Sequence, residues 1–233
     1  MTAGLAFPSL ACVDTDRRWD CPDADGLADL VTGDGNLRVW QRRLPEPFRA
    51  WVESVDPDRL ADLDAAGPIP DALAQLDAQI AALPGPAAAT GWWRVDVRRL
   101  VAAWARASRS AAVHIQIEVV RGDQCRKFHT DLVRMRLLCT YRGPGTEWLP
   151  DAAVRRNRLG AQGGNGDIVA DPAAVRRAGT GDALLFLGDL HDPWRPGLVH
   201  RSPPIAGTGA VRVLLRIDAS GACGCGRPHG NMP

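Results

Sequence analysis

The chain has 233 residues, 45% hydrophobic and 24% charged, the balance of an ordinary globular protein with one sizeable core, or one core plus a small helical appendage. Its 28 basic residues against 27 acidic ones leave a net charge of +1, which argues against the basic excess of a nucleic-acid binder. No apolar run reaches the roughly 18 residues of a membrane span, and Met1–Leu5 lacks a basic segment ahead of an apolar stretch. The expected compartment is therefore the cytoplasm, with the cysteines as reduced thiols.

In chain order, residues 1–45 carry turn signals such as Cys21–Pro22–Asp23 and Gly33–Asp34–Gly35–Asn36, and residues 37–44 alternate weakly like a strand. Residues 46–66 are expected to hold one or two short helices broken near Pro57. Leu73, Leu76, Ile80 and Leu83 recur at spacings of three and four, which predicts a helix capped by Asp71 and ended by Pro84–Gly85. Residues 84–90 read as a linker. Trp93, Val97, Leu100, Val101 and Trp104 then share the core face of a second helix.

Near residue 111 the period changes to two. Val113, Ile115, Ile117 and Val119 alternate with His114, Gln116 and Glu118, a half-buried strand. Further strands are predicted at 132–141, 167–170, 183–188, 197–200 and 211–218, separated by turns such as Gly143–Pro144–Gly145 and Pro203–Pro204. Many short strands with Gly/Pro turns fit the two packed sheets of a jelly roll. The expected fold class is α+β: a mainly helical region over 1–110 packed on a double-stranded β-helix (jelly roll, cupin-like) over 111–218. An irregular Cys- and Gly-rich tail follows at 219–233.

The chemistry concentrates in Phe128–His129–Thr130–Asp131. Positions i and i+2 of a strand face the same way, so His129 and Asp131 present an imidazole and a carboxylate side by side. One more histidine completes the two-His, one-carboxylate triad of a non-haem Fe(II) centre, which leaves coordination positions open. Of the five histidines, His200 at the end of Gly197–Leu198–Val199 is the favoured third ligand, and His191, in a loop, is its rival. The bland alternative is a His129–Asp131 hydrogen-bonded pair supporting a turn. Arg212 opens the last predicted strand, and arginine suits bidentate capture of a carboxylate. Arg216 shares its parity, so pattern leaves both open, although the spacing from His200 favours Arg212.

Gly181–Asp182–Ala183–Leu184–Leu185–Phe186 with Leu198–Val199–His200–Arg201–Ser202–Pro203 resembles the second half of phytanoyl-CoA-hydroxylase-like 2-oxoglutarate oxygenases. The blocks Cys125–Asp131 and Arg136–Leu149 resemble a bacterial family of unknown function, DUF1826. The oxygenase resemblance implies Fe(II) held by His129, Asp131 and His200, with 2-oxoglutarate as cosubstrate gripped by Arg212. By their place after the His129–Asp131 strand, Tyr141 is a candidate for the cosubstrate and Glu147 and Trp148 for a small-molecule or peptide substrate, while His114, on one strand face with Gln116 and Glu118, either lines the pocket as a further substrate candidate or faces solvent. Glu147 is also a candidate acceptor for a ligand histidine.

Two other classes compete with the enzyme. A non-catalytic, cupin-like metal-binding protein would use the same ligands for zinc or other metal handling, with Cys223, Cys225 and His229 as a possible soft site or as incidental thiols. A degenerate jelly roll that only mediates protein contacts would leave the three ligands apart. Cys125 and Cys139 are read as small core residues. The Gly163–Gly164–Asn165–Gly166 loop lacks the Gly-Lys-Ser/Thr of a phosphate cradle.

Overall fold

The computed structural model describes residues 19–160 and 164–221, so the Cys223, Cys225 and His229 group lies outside the described residues. Ten strands and four α-helices are defined: β1 (Asp20–Cys21), β2 (Leu37–Trp40), α1 (Glu46–Ser54), β3 (Leu63–Pro68), α2 (Ile69–Ala81), α3 (Ala87–Ser108), β4 (Ala112–Val120), β5 (Met135–Arg142), β6 (Glu147–Leu149), α4 (Asn165–Ile168), β7 (Arg176–Arg177), β8 (Ala183–Leu187), β9 (Val199–Arg201) and β10 (Arg212–Asp218). The result is a mixed α/β fold with one large sheet. Seven strands run in the order β1-β2-β8-β5-β10-β4-β3, and β7-β6-β9 form a second, small sheet. Among the described residues, no helix is long and apolar enough to cross a membrane.

Strand alternation divides the large sheet into two faces. Val113, Ile115 and Ile117 of β4, Leu137 and Cys139 of β5, Leu185 of β8 and Leu215 and Ile217 of β10 pack against the helices. The predicted face of α3 closes this core: Trp93, Val97, Leu100, Val101 and Trp104 are all buried. Truncating either tryptophan to alanine would cost about 3–5 kcal/mol. The opposite face carries Leu37, Val39, Leu138, Leu184, Phe186 and Leu214, which pack with Trp148, Ala178 and Leu198 from the small sheet and its flanks. The two sheets therefore face each other across a second apolar layer. A third cluster, Phe128, Leu149, Ala153, Ile168, Val169 and Val199, covers the outside of the small sheet.

The expected division at residue 110 does not separate helices from sheet. β1, β2 and β3 all come from the N-terminal part, and β3 pairs antiparallel with β4 from Leu63↔Ile117 to Pro68↔Ala112. The β3 stretch, expected to be helical, is a strand. Only Leu63 and Ala65 are buried there, and Ala, Gly and Pro carry little strand propensity, so cross-strand pairing decides its conformation. The linker expected over 84–90 is already helical from Ala87. Pro68 stands at the start of α2, with Asp71 inside its first turn. The strand expected at 167–170 is one helical turn, α4, with Val169 only bridging Val154.

The turn between β5 and β6 needs its glycines. Gly143 has φ +80°, and a Cβ there would lie 2.4 Å from the Val211 carbonyl oxygen. A Cβ on Gly145 would lie 2.2 Å from the carbonyl oxygen of Ala178. This tight approach sets the Pro144 carbonyl against Arg212.

Candidate metal centre

Backbone pairing builds the site. His129 and His200 form an isolated antiparallel bridge and exchange both backbone hydrogen bonds, His129 N to His200 O and the reverse, each 3.0 Å. Directly opposed residues of such a pair point their side chains to one face. The rings accordingly lie 4.7 Å apart between centroids. The 126–129 segment is clamped by Asn165, whose Oδ1 accepts from Phe128 N (2.8 Å) and whose Nδ2 donates to Arg126 O (3.0 Å). Asp131 follows two residues on, its carbonyl accepting from Asp189 N at 2.9 Å.

Each ring is oriented by its own backbone. His129 Nδ1 lies 2.8 Å from Lys127 O, and His200 Nδ1 lies 3.1 Å from Leu198 O. A carbonyl only accepts, so Nδ1 carries the proton in both rings and Nε2 is the basic nitrogen. Those Nε2 atoms face one carboxylate: His129 Nε2 is 3.4 Å from Asp131 Oδ1, and His200 Nε2 is 3.3 Å from Asp131 Oδ2. One ligand atom from each residue lies within 4.8 Å of the other two. Three acceptor atoms aimed at one another repel unless a proton or a cation lies among them. Two imidazole nitrogens and a carboxylate oxygen are a donor set suited to a divalent transition metal. Histidine ligands with Nδ1 held by a carbonyl are the usual way such a set is oriented.

Asp131 is buried, and burial alone would raise its pKa. When protons on the two Nε2 atoms stand in for a cation, the charge on His200, hydrogen bonds from both histidines and the Arg136 guanidinium outweigh this and hold the carboxyl well below the usual carboxylate range. Arg136 Nη1 donates to Asp131 Oδ2 at 2.6 Å, while its Nε and Nη2 grip the two oxygens of Asp218 at 2.7 Å each.

Arg212 is 1% exposed. Its Nε donates to Pro144 O (2.8 Å), Nη1 to Ser202 Oγ (3.1 Å) and Nη2 to the hydroxyls of Thr140 and Thr146 (3.4 Å each). All of these partners are neutral. Among the described residues, no carboxylate forms an ion pair with it. Burial, partly opposed by the nearby Glu118 carboxylate, pushes its pKa down to about 10, so it keeps its charge at neutral pH. Thr146 and Ser202 also line the cleft that holds His129, Asp131 and His200, together with Glu118, Gln124, Cys125, Arg136, Leu138, Arg201, Leu214 and Arg216. Arg216 is already committed, to Gln116 (Nε to Oε1, 3.0 Å) and Glu118 (3.0 Å).

Other candidates lie elsewhere. Tyr141 sits on the helix side of β5, fully buried among Phe48 and Trp93, and its hydroxyl donates to Asp96 Oδ2 at 2.7 Å. The expectation that it meets a cosubstrate is corrected. Glu147 is buried between Arg177 (Nε, 3.0 Å) and Arg201 (Nε, 2.7 Å), and neither His129 nor His200 donates to it. Trp148 packs between the sheets and lines a separate cleft of about 460 Å³ with Trp19, Asn36, Trp194 and Leu198; that cleft contains none of the three converging side chains. His114 pairs with Asp64 (2.8 Å), and His191 lies outside the cluster. Cys125, expected in the core, is exposed with φ +43°, whereas Cys139 is buried. Sequence reasoning misses Arg136, Asp218 and Asn165. The one legible signal is an arginine inside the apolar run Met135–Tyr141.

Fold and site together define a mixed α/β protein with a His–Asp–His cluster in a cleft beside two facing sheets. The family model described as "Protein of unknown function (DUF1826)" matches residues 22–218, and the chain belongs to that family. No curated protein sequence is significantly similar to it. Among solved structures it is similar to a prolyl-4-hydroxylase from Pseudomonas putida (10% identity, TM-score 0.41, covering 85% of this chain and 98% of that one). It is also similar to the dioxygenase for auxin oxidation 1 from Arabidopsis thaliana in complex with 2-oxoglutarate (12%, 0.43, 88% and 74%). A third is the non-heme alpha ketoglutarate dependent epimerase SnoN from nogalamycin biosynthesis (11%, 0.36, 89% and 87%).

Proposed function

We propose that this protein is an Fe(II)/2-oxoglutarate-dependent oxygenase of the hydroxylase type, built on a double-stranded β-helix. The observation that carries the reading is the pairing of two features: three acceptor side chains converging from distant parts of the chain, and a buried arginine whose partners are all neutral. His129, Asp131 and His200 would hold the metal. Fe(II) with 2-oxoglutarate, when bound, supplies dioxygen-driven hydroxylation with succinate and carbon dioxide as coproducts.

The chain's own residues do the rest. Lys127 O and Leu198 O hold the two rings so that Nε2, the basic nitrogen, faces the centre. Arg212 offers a desolvated cation, the partner that the far carboxylate of a dicarboxylic oxoacid requires. Thr146 and Ser202, which touch both Arg212 and the cleft, orient that guanidinium. A metal buffer would have no use for such a cation, and this favours the oxygenase over a non-catalytic zinc-handling protein.

The test is anaerobic addition of Fe(II) and 2-oxoglutarate to the purified protein. The expected result is a visible charge-transfer band that is absent from His129→Ala and Asp131→Ala, with succinate formed in air. Tight Zn(II) binding with no band and no succinate would replace this reading with the metal-binding one.

A further inference from the structure

Beyond the three converging ligands, the structure brings one more residue to bear on the metal. We infer that Arg136, braced by Asp218, is a positioning residue that reserves a single oxygen of Asp131 for the cation. The inference rests on the metal reading above and concerns how the carboxylate presents itself.

The geometry follows from strand register. β5 and β10 pair antiparallel through Arg216↔Leu138 and Ile217↔Leu137, so the next step sets Asp218 opposite Arg136. Both side chains fall on the face that carries Leu138 and Leu214, away from the helices. Asp131, Arg136 and Asp218 are 3%, 4% and 3% exposed, so water competes little for their hydrogen bonds. Asp218 takes the Nε–Nη2 edge of the guanidinium in a planar fork. A guanidinium held that way cannot rotate, and its remaining Nη1 points at Asp131 Oδ2 over 2.6 Å. Both oxygens face an imidazole, Oδ1 that of His129 and Oδ2 that of His200, but Oδ2 alone also spends a lone pair on Arg136.

Two consequences follow. Asp131 is disposed to bind as a one-oxygen ligand, because a two-oxygen grip would compete with the Nη1 hydrogen bond. The charges also balance: Arg136 alone would cancel Asp131 and weaken its pull on a cation, whereas Asp218 offsets the guanidinium and leaves the trio with one net negative charge. Arg216 Nε, 3.7 Å from Asp218 Oδ2, backs the same carboxylate from the side of the cleft.

The experiment is a Co(II) titration of the full-length protein without oxygen, read by visible d–d absorption and by affinity. The variants are Arg136→Met/Asp218→Leu, which removes the pair together so that Asp218 is not left without its arginine and Asp131 keeps only the two histidines, and Arg136→Lys, which keeps the charge but cannot make the fork. Both are first shown to be folded by circular dichroism. The expected outcome is a changed d–d spectrum in both, with Co(II) affinity altered by about tenfold or more, the range seen when groups that orient metal ligands are removed. If either folded variant shows a wild-type spectrum with affinity within about twofold of wild type, the pair is structural only and this inference fails while the metal reading stands. Absence of Co(II) binding by the wild-type protein would overturn both.

Discussion

His129 and His200, 71 positions apart in the chain, are joined as one antiparallel bridge with two 3.0 Å backbone hydrogen bonds. The same contact that closes the small sheet onto the 126–131 segment therefore creates the pair of imidazoles. Site and fold are not separable at this point, and this shapes what each substitution should do.

Loss of either imidazole should abolish metal-dependent stabilisation while sparing the fold. A ligand that binds only the native state raises stability by about 2.7 kcal/mol at a hundred times its Kd. We expect Co(II) or Mn(II) to raise the Tm of the wild-type protein, and not that of His129→Ala or His200→Ala, in a thermal melt. Equal metal-induced shifts in all three would remove the triad from consideration.

Arg212→Met should separate cosubstrate binding from stability. A buried cation with no directly paired carboxylate is costly to the native state, so replacing it by an apolar side chain is expected to change stability by no more than about 1–2 kcal/mol in either direction. Binding of 2-oxoglutarate to the Mn(II)-loaded protein should fall about a hundredfold, since a desolvated ion pair is lost. Calorimetry with 2-oxoglutarate and a melt of the same sample give both quantities.

Tyr141→Phe tests the placement of that ring on the helix side. It removes the hydrogen bond to Asp96, which Arg42 continues to hold through Nη2 at 2.8 Å. The expected cost is about 1 kcal/mol of stability, with 2-oxoglutarate affinity unchanged. A selective loss of cosubstrate binding would contradict the structure.

Glu147→Gln should flatten the acid limb of stability. Burial would raise the Glu147 pKa, but hydrogen bonds from Arg177 and Arg201 prevail and lower it below its ordinary 4.5. A carboxylate with a depressed folded pKa contributes stability that is complete above the unfolded value, about 4.5, and is lost as pH falls through the lower folded value. The Tm of the wild type should therefore drop more steeply below pH 4.5 than that of Glu147→Gln. At neutral pH the variant should be weaker by about 2 kcal/mol, a figure limited by the exposure of Arg177, whose side chain is 54% exposed.

Legibility of the site follows the range of the interactions. The spacing of His129 and Asp131, and the position of His200 at the end of an apolar run, are enough to pick the three side chains that converge. Parity does not decide Arg212 over Arg216, because both fall on one face of β10. Their partners separate them, since Arg216 meets Glu118 and Gln116 while Arg212 meets neutral groups only. Tyr141 is misplaced by sequence reasoning for an identifiable reason. It is a candidate only because it follows the His129–Asp131 segment, whereas on β5 it shares a face with Leu137 and Cys139, which pack against the helices. The strand at Leu63–Pro68 escapes notice because its stabilisation comes from β4 rather than from its own residues.

What the amino-acid order settles by itself is local: the amphipathic face of α3, the alternation of β4 and the side chains able to bind a metal. These depend on period and residue type, which neighbouring positions carry. The tertiary structure alone decides which distant groups share one space: the bridge from His129 to His200, the Arg136–Asp218 fork on Asp131, and the neutral surroundings of Arg212. Each depends on strand register, where a slip of one residue would turn every side chain to the other face of the sheet.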